Sequence, residues 1–158
     1  GQLSDRVLRI SEAMEASNLE APVRDRIRWN IWLKLWGNVC FNPISALTHA
    51  SLDRITGEPE LRKLCTDMML EAKAVTEALD IDIPEKMIER RLDAAGAVKG
   101  HKMSMLQDLE RGRSMEIDAL VAAVQEIGQL VDVPTPKIDL VLALIRERGR
   151  QAGLYTTA

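Results

Sequence analysis

Aromatic residues are scarce in this 158-residue sequence, at 3% of the chain. Four of the five, Trp29, Trp32, Trp36 and Phe41, nevertheless fall within residues 29–41. Because the rest of the chain holds almost no aromatic side chains, its core has to be built from aliphatic residues and methionine. The clustering indicates that residues 29–41 form a distinctive local structure.

Long hydrophobic runs and clustered basic residues are also lacking. The apolar run at 140–145 (LVLALI) is far shorter than a membrane span. The net charge is −3 with both signs interspersed, whereas nucleic-acid binding requires basic residues gathered on one face. We therefore expect neither a membrane nor a nucleic-acid partner. The first residues also have no signal-peptide pattern.

Metal-ligand motifs and a dinucleotide-binding fingerprint are absent from the sequence as well. Cys40 and Cys65 lie in apolar helical patterns without ligand spacing, which favours reduced core cysteines and a cytoplasmic protein. His49 and His101 are isolated, so no metal site is predicted. The nine glycines form no G-x-G-x-x-G pattern after a strand, so the printed sequence has no usual dinucleotide site.

Apolar residues recur at helical spacing almost everywhere and no segment alternates strictly, which predicts an all-α fold. Short connections favour a compact multi-helix domain. Asp25 is the predicted cap of the second helix, and Pro43 is predicted to kink or restart it. The predicted helices cover residues 4–17, 25–42, 59–79, 84–98, 104–112 and 115–130, with a last helix starting at 135.

Three segments of the chain differ in character. Residues 1–23 are predicted to form a helix followed by an extended stub, because Pro22 disfavours a helical residue before it. Such a pair fits the tail of an α/β domain lying upstream. Residues 24–150 are predicted to form the helical domain, and residues 151–158 a loose tail.

The aromatic helix also carries a polar row made of Lys34, Asn38 and Asn42. At about 100° per residue these three fall within about 80° of one another, nearly opposite the tryptophans. A buried ammonium and buried amides need partners, which leaves two arrangements. Either other protein groups complete a structural network, or the row faces a wet cleft. In a cleft, the ammonium could protonate an oxygen that the amides orient, which suits a small oxo acid.

Three segments together resemble one known family. WLKLWGNVCFNPISALT is similar to the K-x-x-x-N-x-x-x-N-P motif of the ketopantoate reductases (2-dehydropantoate 2-reductases). HKMSMLQDLERGRSMEIDAL resembles the S-M-L-Q-D … G-R-x-x-E-I-D signature of that family, and VPTPKIDLVLALI resembles its V-P-T-P closing helix. The motifs follow in the family's order and spacing over residues 24–146.

The resemblance implies the C-terminal helical domain of a two-domain, NADPH-dependent oxidoreductase, of the 6-phosphogluconate-dehydrogenase C-terminal type. Residues 1–23 would then end an N-terminal Rossmann domain that holds the cofactor, so no cofactor-binding residue is assigned here. The implied reaction is reduction of a 2-oxo acid, ketopantoate to pantoate in pantothenate biosynthesis, by a homodimer. The printed chain alone should be inactive.

Matching positions imply roles for five residues. Lys34 would be the general acid that protonates the oxygen of the reduced ketone. Asn38 and Asn42 would position the substrate and the lysine. Glu116 would bind the substrate hydroxyl near the lysine, and Ser104 would contact the substrate carboxylate.

The same positions also have structural interpretations. Ser104 and Gln107 form an S-x-x-Q capping box, and Glu116 falls near a predicted helix start, where any acid is favourable. Residues 119–122 read A-L-V-A where the family has A-L-N-G, which removes one polar group near the implied site and leaves the substrate less well defined. Two alternatives therefore stay open: a reductase of a different 2-oxo acid, and a non-catalytic helical dimerisation module.

Overall fold

The fold is all-α, as predicted, in a computed structural model that describes residues 3–156. Within that range the regular elements are helical and no strand occurs. The helices are α1 (Asp5–Glu15), α2 (Ile27–Thr48), α3 (Leu52–Gly57), α4 (Pro59–Ala78), α5 (Lys86–Ala97), α6 (Ser104–Glu110), α7 (Ala123–Leu130) and α8 (Pro136–Gln151), with a π-helical turn (Asp118–Ala122) leading into α7.

Helix α2 is the centre of the domain, because α3, α4, α6, α8 and the π-helical turn all contact it. Trp36, Val39 and Cys40 are fully buried in the core that these helices enclose. Trp29 lies at the edge and donates its indole N–H to the carbonyl oxygen of Asp82 at 3.0 Å. Four of the five aromatic residues therefore lie on α2, the helix that contacts α3, α4, α6 and α8.

The predicted restart of α2 at Pro43 is wrong, because the helix continues through that residue to Thr48. A proline inside a helix removes one backbone hydrogen bond and crowds the preceding turn. Residues 39–46 are all buried, however, and packing on that scale outweighs the lost bond. The helix ends where His49 takes a left-handed conformation, with φ of 57°.

The predicted Asp25 cap is also wrong. The Asp25 carboxylate accepts from the N–H of Arg26 at 2.9 Å, while α2 begins at Ile27 without any side-chain cap. Helix α3 lies in a segment where no separate helix was predicted. At only six residues it is too short for its apolar periodicity to be recognised.

The start of α8 is as predicted, at Pro136 after Thr135. The Thr135 hydroxyl donates to Asp139 at 2.9 Å. A residue distant in sequence completes this end: Glu71 of α4 accepts from the backbone N–H groups of Lys137 and Ile138, at 2.8 and 3.0 Å. The carboxylate thus satisfies two of the four N–H groups that a helix start leaves without partners.

The tail predicted to be loose is attached to the domain at Tyr155, which is 8% exposed. Its hydroxyl donates to Asp118 at 3.0 Å, and Arg146 donates to the same carboxylate at 2.7 Å. Gly149 permits this contact, since a Cβ there would lie 2.6 Å from the Cβ of Tyr155. The attachment is a tertiary contact that periodicity does not reveal. Residues 157–158 of the predicted tail lie outside the described residues.

Candidate functional site

The polar row on α2 runs from the surface into the core. Lys34 is exposed, Asn38 is partly buried one turn later, and Asn42 is only 1% exposed a further turn along. The three side chains therefore share a helix face but meet different environments. Only the first two positions of the row are open to a ligand.

Asn42 is connected to the second predicted site segment. The hydroxyl of Ser104 donates to the Asn42 side-chain oxygen at 3.5 Å, across 62 residues of sequence. Ser104 itself is exposed at the first residue of α6. The structure thus brings together an implied carboxylate-binding serine and the end of the polar row.

The capping-box interpretation of Ser104 is wrong. Met103 occupies the cap position, α6 has no side-chain cap, and Gln107 donates its amide to the carbonyl oxygen of Lys102 at 2.9 Å. The Ser104 hydroxyl is directed to Asn42 instead, so it does not bond the backbone of its own helix.

Lys34 takes part in no structural network among residues 3–156. Its ammonium forms no ion pair and no side-chain hydrogen bond with any described residue. A lysine locked against an internal carboxylate would have favoured the dimerisation module. An exposed ammonium without such a partner among the described residues instead leaves the group available to a ligand.

Glu116 lies outside the helix in which it was predicted, because Ile117 is the first helical residue after it. It is exposed and lines a pocket of about 420 Å³ together with Ser114, Asp118 and Tyr155. No ion pair or hydrogen bond joins Glu116 to Lys34 within the described residues. The structure does not itself bring the implied acid and the implied carboxylate into contact.

The departure at residues 119–122 is explained by packing at one position. Val121 belongs to the π-helical turn and is completely buried in the core. A valine there adds apolar contact where an asparagine would need hydrogen-bond partners.

A pocket of about 500 Å³ lies beside the polar row; we call it the Asn38 pocket. Phe41, Leu52, Met87 and Met103 form its apolar wall. Its volume is in the range of small-molecule sites, and a mostly apolar wall with a few polar groups is typical of such sites.

The polar residues that line the Asn38 pocket include Arg90 and Arg91 of α5 and also His101. The two arginines were not predicted as site residues from the sequence. The Arg91 guanidinium packs against Gly37, where a Cβ would lie 2.5 Å from its Nη2 atom. Burial lowers the pKa of Arg91. The signal available in the sequence is a glycine inside the aromatic helix, which marks a close approach by another group.

Neither a metal-binding cluster nor a membrane-spanning helix occurs among the described residues. No group of three or more His, Cys, Asp or Glu side chains within residues 3–156 lies close enough together to hold a metal ion. Over the same residues, no helix has the length and apolar character needed to cross a bilayer. Cys40 and Cys65 are buried free thiols, and burial raises the pKa of Cys40.

Fold and site together define an all-helical domain with an open pocket at Asn38, one helical turn from the exposed Lys34 on α2. Comparisons with known proteins narrow this class. The family model described as "Ketopantoate reductase PanE/ApbA C terminal" matches residues 26–149. The 2-dehydropantoate 2-reductase of Mesorhizobium japonicum is 55% identical over 156 residues, which cover 99% of this chain and 48% of that protein.

Solved structures of ketopantoate reductases share the fold of this chain. The 2-dehydropantoate 2-reductase of Methylococcus capsulatus matches with a TM-score of 0.88 at 26% identity, over 96% of this chain and 53% of that one. A dimeric ketopantoate reductase of Staphylococcus aureus shares the fold, with a TM-score of 0.86 at 21% identity, over 96% and 54%. The chain belongs to the family of ketopantoate reductase C-terminal domains, which confirms the resemblance. It spans about half the length of the curated relatives it matches.

Proposed function

We propose that this chain is the substrate-binding and catalytic helical domain of an NADPH-dependent 2-oxo acid reductase that converts ketopantoate to pantoate. The observation that carries the proposal is the Lys34 ammonium, which pairs with no described residue and shares a helix face with Asn38, a residue of an open pocket. Membership of the family and the name of the Mesorhizobium japonicum relative support this substrate.

In this proposal Lys34 donates a proton to the substrate's keto oxygen as the carbonyl carbon is reduced. Asn38 orients the keto group from the next turn of α2. Both groups lie on one rigid helix, which holds their spacing without further ordering.

Ser104 and Asn42 act as a pair. We assign the substrate carboxylate to the exposed Ser104 hydroxyl, at the first residue of α6. Asn42 is buried, and we assign it the resting partner of Ser104: the one O–H donates to the Asn42 oxygen at 3.5 Å without substrate and turns to the carboxylate when substrate binds. This gives the second amide of the row a role that does not require contact with substrate.

Glu116 would bind the substrate hydroxyl from the opposite side. Its carboxylate is exposed and has no ion-pair partner among the described residues, so it is able to accept a hydrogen bond. Bringing it near Lys34 requires the substrate, or the other half of the full-length protein, to bridge the two pockets.

The cofactor does not fit this chain alone. Residues 3–156 contain no strand, and the glycines form no dinucleotide fingerprint, so no βα turn is available for a pyrophosphate. We assign NADPH to an N-terminal Rossmann domain of the full-length protein, of which residues 1–23 would be the end. When bound there, NADPH would supply the hydride.

The test is replacement of Lys34 by alanine in the full-length protein. Loss of the general acid should lower turnover of ketopantoate by about 10²- to 10⁴-fold, with NADPH binding retained. Steady-state rates and a fluorescence titration of NADPH measure the two quantities. Lys63→Ala is the matched control, since Lys63 is an exposed ammonium on α4 that pairs with Asp67. If Lys34→Ala turns over like Lys63→Ala, Lys34 is not the acid.

A homodimer in the cytoplasm completes the proposal. The Staphylococcus aureus relative is described as dimeric. In this chain Leu140 and Leu144 are 56% and 51% exposed one turn apart on α8, which is an apolar surface that a second copy could cover. Sedimentation of the full-length protein, with Leu144→Lys as the disrupting variant, would test this association.

A further inference from the structure

Arg91 is a half-buried cation without a counter-ion among the described residues. Its Nε atom is buried and has no hydrogen-bond partner, and its Nη2 atom makes one long contact of 3.5 Å, to the carbonyl oxygen of Lys34. No described carboxylate lies within ion-pair distance. Arg62 of α4 shows the usual arrangement, with Glu89 and Asp93 oxygens at 2.7 and 2.9 Å. A guanidinium removed from water normally has such an acceptor.

Arg91 lines the pocket next to the proposed substrate site, so its guanidinium is placed to bind an anionic group of a ligand. The guanidinium packs on Gly37, the residue before Asn38, and both Arg91 and Asn38 line the Asn38 pocket. Arg90 and His101 line the same pocket and add positive charge or hydrogen-bond donors. Neither Arg90 nor His101 forms an ion pair with a described carboxylate. The pocket thus combines an uncompensated cationic side with an apolar wall.

An apolar wall beside a cation suits an aliphatic chain that ends in an anion. Leu52, Met87 and Met103 offer contact to methylene groups, whereas a simple inorganic anion would leave them unused. The pocket also adjoins Asn38, so a ligand held at the polar row can extend into it without leaving α2.

Building on the proposed function, we infer that the Asn38 pocket binds the chain of 2-oxo acids longer than ketopantoate that end in a second carboxylate. Arg91 binds that carboxylate, while the 2-oxo acid group stays at Lys34, Asn38 and Ser104. The full-length enzyme would therefore reduce 2-oxo dicarboxylic acids as a second substrate class. The reaction is the same two-electron reduction, with hydride from NADPH and the proton from Lys34.

The experiment compares two oxo acids of equal chain length in the full-length enzyme with NADPH. 2-Oxoadipate carries the terminal carboxylate and 2-oxohexanoate lacks it, so the ratio of their kcat/KM values isolates the contribution of that group. Wild type should favour 2-oxoadipate. Arg91→Met should lower the ratio about 10- to 100-fold, mainly through KM, because a charged hydrogen bond is lost. Arg54→Met, an exposed arginine on α3 without an ion pair to a described residue, should leave the ratio unchanged.

A second pair of variants keeps the test valid if Arg91→Met fails to fold. Ala94 is exposed and lines the Asn38 pocket, whereas Ala97 is exposed on the same helix and does not line it. Ala94→Leu should narrow the pocket and raise KM for 2-oxoadipate about tenfold, and Ala97→Leu should have no effect.

Three results would overturn the inference. If wild type reduces ketopantoate but does not favour 2-oxoadipate over 2-oxohexanoate, the pocket inference fails and the proposed function stands. The same conclusion follows if Arg91→Met and Ala94→Leu match their controls. If wild type reduces no 2-oxo acid of the panel, the proposed function fails and the inference falls with it.

Discussion

Residues 3–26 and the rest of the described chain differ in how their apolar side chains are used. Helix α1 has apolar residues at helical spacing, yet none of its side chains is buried, and Ile10 is 49% exposed. Helix α2 buries half of its residues, with Trp36 completely enclosed. Both segments are amphipathic or apolar in sequence. The difference is that α2 has neighbouring helices to pack against, whereas the apolar face of α1 meets the residues at 21–27 that follow it.

Helical periodicity thus predicts a helix but not the surface against which the helix packs. The α1 face of Val7, Ile10 and Met14 meets residues 21–27 and leaves a shallow apolar groove between them. A face of this kind normally marks a contact surface. It accords with the proposal that residues 1–23 end a preceding domain.

The largest expected effect tests the burial difference directly. Trp36→Ala should lower the free energy of unfolding of the chain by about 3–5 kcal/mol, because a fully buried indole is replaced by a cavity. Ile10→Ala should change it by less than about 0.5 kcal/mol. Urea unfolding followed by circular dichroism measures both. Equal losses would show that α1 belongs to the core, and would break the comparison.

A smaller effect is expected from the polar contacts of the two regions. Glu71→Ala removes the acceptor of two N–H groups at the start of α8 and should destabilise the chain by about 1 kcal/mol. Glu71→Gln keeps an acceptor oxygen and should recover part of that loss. Ser11→Ala removes the hydroxyl that donates to the carbonyl of Ala21, and should change the unfolding free energy far less. A larger loss from Ser11→Ala would show that residues 3–26 are stabilised by more than local contacts.

The smallest expected effect comes from a pH-dependent contact of Asp53 in α3. Hydrogen bonds from the Ser51 hydroxyl and the Gly100 amide lower the pKa of Asp53 below its ordinary value of 3.8. Because the folded-state pKa is the lower one, the stabilisation is present above about pH 3.8 and is lost as the pH falls through the folded value. The Gly100 amide resonance should shift with a midpoint below 3.8, and should not titrate in Asp53→Asn. A midpoint at or above 3.8 would exclude the contact.

The features of the fold that were predicted correctly are determined by residues close together in sequence. Thr135 followed by Pro136 places the start of α8 correctly, because proline at the first helical turn sacrifices no hydrogen bond. The restart predicted at Pro43 is wrong, since residues 39–46 are all buried and their packing holds α2 continuous across the proline. The Tyr155 attachment was missed because it depends on a tertiary contact with Asp118, which is distant in sequence, and on the space left by Gly149.

In the candidate site too, features that depend on nearby residues could be predicted, whereas those that depend on distant residues could not. The polar row follows from spacing alone, because side chains four residues apart share a helix face. Its change from exposed Lys34 to buried Asn42 does not, since burial depends on where α6 lies. Arg91 could not be assigned from its own neighbourhood in the sequence. Only the glycine at position 37, on another helix, makes room for it.

The π-helical turn at Asp118–Ala122 has a consequence for everything that precedes it. A π turn accommodates one residue more than an α turn, and one residue corresponds to about 100° of rotation about the helix axis. The side chain of Asp118 is thereby re-phased relative to Val124 and Gly128, which stay buried in α7. Deleting a single residue from this turn would leave a more regular helix in which Asp118 points to a different side of the domain.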